Sequence, residues 1–533
     1  MDAVSQLDQD LFATLANVRE LKNSFVPINR IPLDILTLIP THLPSQTDRF
    51  RVSFVCRHWR RVFLQRGSLW PQINLSNGET YVDILLERAK GSELDIVLTK
   101  SNTPLGAITR LSPYTRQIRS LQFVLNELCD VVEFSGVISG PLPLLRTLEI
   151  SAYFDNPDPP PPLPLFGTAL NLEQFFLYVE GEEEFLSYFA FPNLTTFEVE
   201  MVLDDPFDVS ILLNFLKTSP MLQTVKVKIS GEIALGSVPL GTVVALPNAE
   251  IFSLYLPRDG EKRFHDIVAL SCPRVRHASL TNELPAIDMI PGLEIFPTSI
   301  SWATIIRQFQ FGTGLIEEVI FEITNLKDGN TTCSLTFRSS DTTDITLGFQ
   351  IVKYNPAEDD LDESDMHMTY EEMGCEVFCK AFLAIRVYKI LPQIKRLHIK
   401  YKTAITNAGL LKRMTTRVRR LFRSLGPLDE LTVHGCNLHI FLATFLIDPV
   451  GLDSADGPAV LPPIKALTVS HPPTMVIDED RCGEVILELA RSQHDLGVPF
   501  ERVTVQLGKL PLAIRRGLGR CVSQVDYHQQ EED

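Results

Sequence analysis

The sequence predicts an α/β protein: a short N-terminal helical module, then a long array of stacked strand and helix units forming a curved parallel sheet with outer helices. Three observations predict it. Two apolar segments at helical spacing meet between residues 31 and 70. Downstream, one short apolar phrase returns at nearly constant intervals, the mark of stacked units. Helix-patterned stretches lie between its copies, and strand alternating with helix on one period argues for parallel strands.

Residues 1–28 read as a lead amphipathic helix. Val4, Leu7, Leu11, Val18, Leu21 and Phe25 recur at heptad-like spacing, broken only by Thr14. About three heptads is marginal for a coiled coil standing alone. A helix packed back on the following module is therefore favoured over a dimerisation strand.

Residues 29–75 contain the stretch IPLDILTLIPTHLPSQTDRFRVSFVCRHWRRVFLQRGSLW. Ile35, Ile39 and Leu43 mark one helical face; Phe50, Phe54, Val55, Trp59, Val62 and Phe63 mark a second. Pro32 suits a first helical turn, where its missing N–H is not needed, and Asp34 favours the positive helix end. Ser45, Thr47 and Asp48 offer caps for the next helix. Pro40 removes one helical hydrogen bond and crowds the carbonyl of Leu36, so the first helix kinks or stops early. Arg49, Arg51, Arg57, His58, Arg60, Arg61 and Arg66 give an acidic chain one basic face.

Ile31-Pro32, Ile35-Leu36, Leu43, the block Val55-Cys56-Arg57-His58-Trp59-Arg60 and the closing Leu69-Trp70 together resemble an F-box. That family's module docks a protein onto the Skp-family adaptor of cullin ubiquitin ligases, though it usually has an apolar or aromatic residue where Pro40 stands. The resemblance assigns Ile31, Pro32, Ile35, Val55, Cys56 and Trp59 as adaptor-facing or helix-setting positions. About forty residues hold too little core to close alone and gain by packing on another surface.

After Trp70, residues 71–75, 81–90 and 94–98 read strand, helix, strand, with Val82, Leu85, Leu86 and Ala89 on one helix side. The recurring phrase is a Pro or Asn, an apolar residue, two polar residues, then apolar, any, apolar. Its middle apolar positions 121, 148, 175, 197, 225, 252 and 278 are spaced by 27, 27, 22, 28, 27 and 26 residues. Leucine-rich repeats have periods of roughly 20–29 residues, and the array over residues 76–530 resembles an irregular variant of them. Further copies at residues 316–321, 394–399, 428–433, 464–469 and 500–505 are less regular, so the longer gaps hold insertions or extra helices. Residues 211–217, 378–388, 410–425 and 484–491 are helix-patterned. The alternative to one solenoid is a separate α/β domain after about residue 310. Insertions fall near 154–165, with NPDPPPPLP as an extended loop, and near 355–373, whose acid-dense run has little to bury.

No spacing assembles a catalytic centre: GxxxxGK, GxSxG and HExxH are all missing. His434, Cys436 and His439 lack a fourth metal ligand, and Cys375 and Cys379 read as core thiols. The basic stretch 410–425 reads as an outer helix with a charged solvent face rather than a phosphate or membrane grip. The expectation is no catalytic residue, no cofactor and no metal.

A net charge of −17 argues against a nucleic-acid partner, and no apolar run approaches the roughly 20 residues that span a bilayer. No secretory signal is evident. Nine scattered cysteines without a CxxC pair fit reduced thiols, hence cytoplasm or nucleus. The resemblance then implies a substrate receptor: the F-box on a Skp-family adaptor and through it a cullin, the repeats on a target protein, with contacts such as Arg146, Thr147 and Glu149. The alternatives are a non-ligase scaffold with a vestigial F-box and an enzyme in the C-terminal region.

Overall fold

The computed structural model describes residues 3–43, 46–98, 108–125, 141–153, 169–181, 186–187, 189–203, 205–231, 233–234, 238, 242–256, 268–272, 274–285, 316–325, 331–339, 344–352, 394–401, 422, 425–435, 442, 462–471, 479–507 and 510–528. The NPDPPPPLP and acid-dense insertions, Cys375, Cys379, Cys436, His439, the 378–388 stretch and nearly all of the basic 410–425 stretch lie outside these residues. The chain divides into two compact units, Met1–Met201 and Val202–Asp533.

The first unit opens with α1 (Ala3–Ser24), a 3-10 turn at Pro27–Arg30, α2 (Leu33–Leu38), α3 (Gln46–Ser53) and α4 (Arg57–Gln65). α2 ends two residues before Pro40 and tightens into a 3-10 turn, Ile39–His42, because proline has no N–H to continue the α ladder. α1 meets the module behind it with a different side from its heptad stripe, which faces solvent, with Val4 69% and Leu7 70% exposed. Its contacts to the module are described below.

Strand β1 (Gln72–Asn74), helix α5 (Glu79–Ala89) and β2 (Leu94–Leu98) follow as the pattern predicts. α5 buries Val82, Leu85, Leu86 and Ala89. β3 (Ile118–Leu125), β4 (Thr147–Tyr153) and β5 (Gln174–Gly181) extend a parallel ladder. Its register aligns Ile73, Ile96, Leu121, Leu148 and Phe175 in one buried column. The middle residue of the sequence phrase is this column. Strands in register place equivalent residues side by side, so each repeat must present the same apolar position to the same layer.

The Asn that opens several copies has its own task. Asn171 Nδ2 donates to the carbonyl of Pro143 at 2.8 Å, Asn193 to Leu170 at 2.7 Å and, in the second unit, Asn248 to Pro220 at 3.3 Å. Each side chain reaches back to the preceding turn and satisfies a carbonyl that no ladder strand could reach. The division between units falls within β6 (Thr196–Leu203), whose residues alternate half-buried and buried.

In the second unit β8 (Thr224–Ser230), β11 (Ile251–Leu256) and β13 (His277–Pro285) are parallel neighbours. Helix Val209–Thr218 matches the expected helix at 211–217, with Asp208 accepting from the Ser210 N–H at its start. Short strands β7 (Phe207–Asp208) with β9 (Ile233–Ala234), and β10 (Thr242–Ala245) with β12 (Val268–Ser271), form two separate parallel pairs.

Beyond residue 310 the same sheet continues, against the alternative of a separate domain. β14 (Ile316–Asn325), β15 (Thr331–Ser339) and β16 (Asp344–Val352) form an antiparallel meander, and the spatial order runs β13, β16, β15, β14, then β17 (Arg396–Tyr401). Two of these strands fill a gap where only insertions or helices were expected. Reversing direction twice returns the chain to the parallel sense, so β16 pairs parallel with β13 and β14 with β17. The register column passes through unbroken as Ala278, Ile345, Phe337, Val319 and Leu397. β18 (Leu428–Gly435), β19 (Ile464–Ser470), β20 (Arg502–Gln506) and β21 (Gln524–Tyr527) complete the parallel run. The helix Glu479–Asp495 extends the expected 484–491 pattern and packs on the helix Leu512–Cys521.

Candidate docking site

The candidate site is the helical cluster between α1 and β1. α2 has only six residues and buries only Leu36, which leaves Leu33, Ile35 and Leu38 about half exposed. α3 leads into a tight turn at Phe54 and Val55, which are 65% and 60% exposed. Cys56 then adopts an extended conformation before α4, and α4 turns Trp59, Val62 and Phe63 inward. Five large apolar side chains thus face water around a small closed core. Large apolar side chains exposed on α2 and on the turn before α4 make this part of the cluster the candidate docking surface.

Asn29 ties the cluster together. Trp59 Nε1 donates to Asn29 Oδ1 at 2.6 Å, and the Cys56 Sγ lies 3.8 Å from the same oxygen. Asn29 Nδ2 in turn donates to the Asn23 carbonyl at the end of α1, at 2.7 Å. α1 is further held by Glu20, whose carboxylate meets Arg57 at 3.8 Å and Arg61 at 3.3 Å. Between α1 and the start of α4 lies an open groove of about 660 Å³, lined among others by Phe12, Leu15, Arg19, Arg57 and His58.

The cluster is fused to the first strands by a shared core. Trp70 is fully buried and donates from Nε1 to the Phe63 carbonyl at 2.9 Å. Phe50 packs on Trp70 at 4.8 Å between ring centroids and on Tyr81 of α5 at 5.6 Å. Arg88 of α5 places its guanidinium 4.9 Å from the Phe50 ring and 5.0 Å from Trp70. Burial holds the Arg88 pKa below its usual value, and burial also raises the Tyr81 phenol. A cation desolvated between two π faces recovers part of that cost from the ring quadrupoles. Gly67 closes the joint, because a Cβ there would lie 1.9 Å from the Ala89 carbonyl oxygen.

The six residues singled out in the sequence fall into three groups. Pro32, Ile35 and Val55 are exposed; Ile31 and Cys56 are half-buried; Trp59 is buried. Cys56 and Trp59 meet at Asn29, while Ile35 and Val55 stand on separate elements, α2 and the turn before α4. Leu33, Leu38 and Phe54 join the exposed set without having been singled out. Leu38, three residues after Ile35, carried a helical-spacing signal; Asn29 had no local signature.

Of the proposed target contacts, Arg146 is exposed and 3.4 Å from Glu173, while Thr147 and Glu149 lie on the uncovered face of β4. Gln122 donates to Glu149 at 2.8 Å and Tyr153 packs on Tyr178 at 5.3 Å on that face. Burial, and then the neighbouring Glu180 and Tyr153, raise the Tyr178 pKa. His434 is 2.9 Å from Ser470 Oγ, and no group of three His, Cys, Asp or Glu among the described residues could hold a metal. Among these residues no helix is long and apolar enough to cross a membrane.

Residues 28–76 match a family model described as F-box-like. The chain therefore carries an F-box-like domain near its N-terminus, made of the helices whose exposed apolar rim is described above. A search of curated proteins finds no match to the chain.

Proposed function

We propose that the protein is the substrate-receptor subunit of a cullin-type ubiquitin ligase, working in the cytoplasm or nucleus. F-box domains generally bind Skp-family adaptors. Here residues 29–75 dock the adaptor, and the repeat region over 76–530 holds a target protein on its uncovered strand face. Such a receptor needs no catalytic residue, since it acts by holding a target lysine close to a charged conjugating enzyme.

One observation carries this reading. The F-box-like helices turn Leu33, Ile35, Leu38, Phe54 and Val55 outward while sharing the Phe50, Trp70, Tyr81 and Arg88 core with the first repeat. A docking rim on a rigid joint transmits position from adaptor to cargo; a flexible tether would not. The test is co-purification with a Skp-family adaptor. An Ile35→Asp, Val55→Asp double variant alters only exposed positions and should keep its fold while losing the adaptor. Undiminished recovery from the folded double variant would sink the proposal in favour of a scaffold that works without a cullin.

A further inference from the structure

We propose that α1 is a homodimerisation helix, through which two copies of the chain pair in parallel. Val4, Leu7, Leu11, Val18 and Leu21 form the seam on the helix, Phe25 continues the spacing in the turn that follows it, and Thr14 holds the remaining heptad position. Their separations alternate three and four residues, a mean of 3.5, which keeps a stripe facing its partner only when that partner is a helix of the same repeat. Among the described helices no other exposes such a stripe, and α1 is a partner of matching period to itself.

The stripe is free to pair because α1 meets its own chain with another side. Phe12, Leu15, Ala16, Arg19 and Glu20 border the groove at α4, and Glu20 is fastened to Arg57 and Arg61. At about 100° per residue the centre of that side lies roughly 140° around the helix from the seam. Docking against α4 and pairing with a second copy therefore do not compete.

Size and polarity agree with a dimer. The five seam residues and Phe25 are between 58% and 70% exposed. At roughly 100 Å² of apolar surface each, two copies would bury about 1,200 Å², the lower bound of specific interfaces. No seam position is charged. Thr14 already donates its hydroxyl to the Asp10 carbonyl at 2.8 Å, so it needs no partner across the seam. Parallel pairing in register sets Thr14 against its own copy.

Sedimentation of the full chain tests this. The expected mass is twice 59.9 kDa at about 100 µM, falling to the monomer value on dilution. Leu11→Asp with Leu21→Asp should give monomer at every concentration with an unchanged unfolding midpoint. Thr14→Ile should hold the dimer to about tenfold lower concentration. Thr14→Cys should form a reducible covalent dimer under mild oxidation that the unsubstituted chain does not. A monomer throughout, or a dimer indifferent to the two aspartates, overturns the proposal; a dimer with no Thr14→Cys cross-link overturns the parallel pairing.

Discussion

The Trp59 indole N–H donates to the Asn29 side-chain carbonyl at 2.6 Å, and through Asn29 the buried core of α4 is tied to the last turn of α1. Two 3-10 turns, α2 and α3 separate these elements along the chain, so this bond joins parts that only folding brings together. Asn29→Ala should leave the indole donor buried and unpaired at a cost of about 1–3 kcal/mol. Thermal unfolding should register this as a lowered midpoint. Adding Trp59→Phe, which removes the donor, should cost less than the sum of the two single changes.

The exposed rim and the buried tryptophan should respond differently. Phe54→Ala is expected to weaken adaptor binding by about 2 kcal/mol, roughly 30-fold, with little effect on stability. Trp59→Ala should instead cost about 3–5 kcal/mol of stability. Titration calorimetry and denaturant unfolding on both variants separate the two roles. Equal loss of affinity from Phe54→Ala and Trp59→Ala, with neither destabilised, would reverse the assignment.

Gly67 and Gly519 form a matched pair. The Gly67→Ala methyl would meet the Ala89 carbonyl, which belongs to a buried helix end and cannot swing aside, so a loss of about 3 kcal/mol is expected. Gly519 lies within the helix Leu512–Cys521 with open space around it, and alanine there should stabilise by about 0.5–1 kcal/mol. Midpoints moving the same way for both would refute the close approach at Gly67.

His398 gives the fold a pH response. Its ring is largely buried beside Glu318 at 3.0 Å, with Arg396, Lys400 and Glu430 around it, and burial lowers its pKa below the ordinary 6.5. The unfolded chain then binds a proton before the folded one does. The neutral ring's contribution is whole above pH 6.5 and is lost as pH falls below it towards the folded value. Unfolding midpoints between pH 7 and about 5 should fall less steeply for His398→Gln than for the natural chain.

Burial pushes the Cys272 thiol up to about 12, whereas Cys56 and Cys521 are half-exposed. Alkylation of the native protein at neutral pH should spare Cys272 and modify it only after unfolding, as peptide mass mapping would show. Labelling of Cys272 in the native state would contradict its position.

Much of the strand ladder was legible because a parallel in-register sheet copies one position from strand to strand. Leu121, Leu148 and Phe175 could be aligned from spacing alone, and they stand side by side. β14 carries the copy at residues 316–321, but β15 and β16 escaped this logic. These two strands alternate at period two and carry no phrase, and their place depends on pairing between β13 and β16, about 67 residues apart. The helical cluster was legible as a set of residues but not as a surface. Motif position grouped Ile35, Val55 and Trp59, yet only the packing of α2 on α4 leaves two of them outside and one inside.

The sequence alone determined the period of the ladder, the place of the helical cluster and the heptad on α1. All three are properties of local chain geometry, in which 3.6 or 2 residues per repeat decide which side chains share a face. Tertiary structure decided where those faces point. The seam of α1 is left in solvent because Glu20 and Asn23, from other sides of the helix, bind Arg57, Arg61 and Asn29. Those pairings cross up to 41 residues of chain, and no local pattern encodes a contact between groups that meet only after folding.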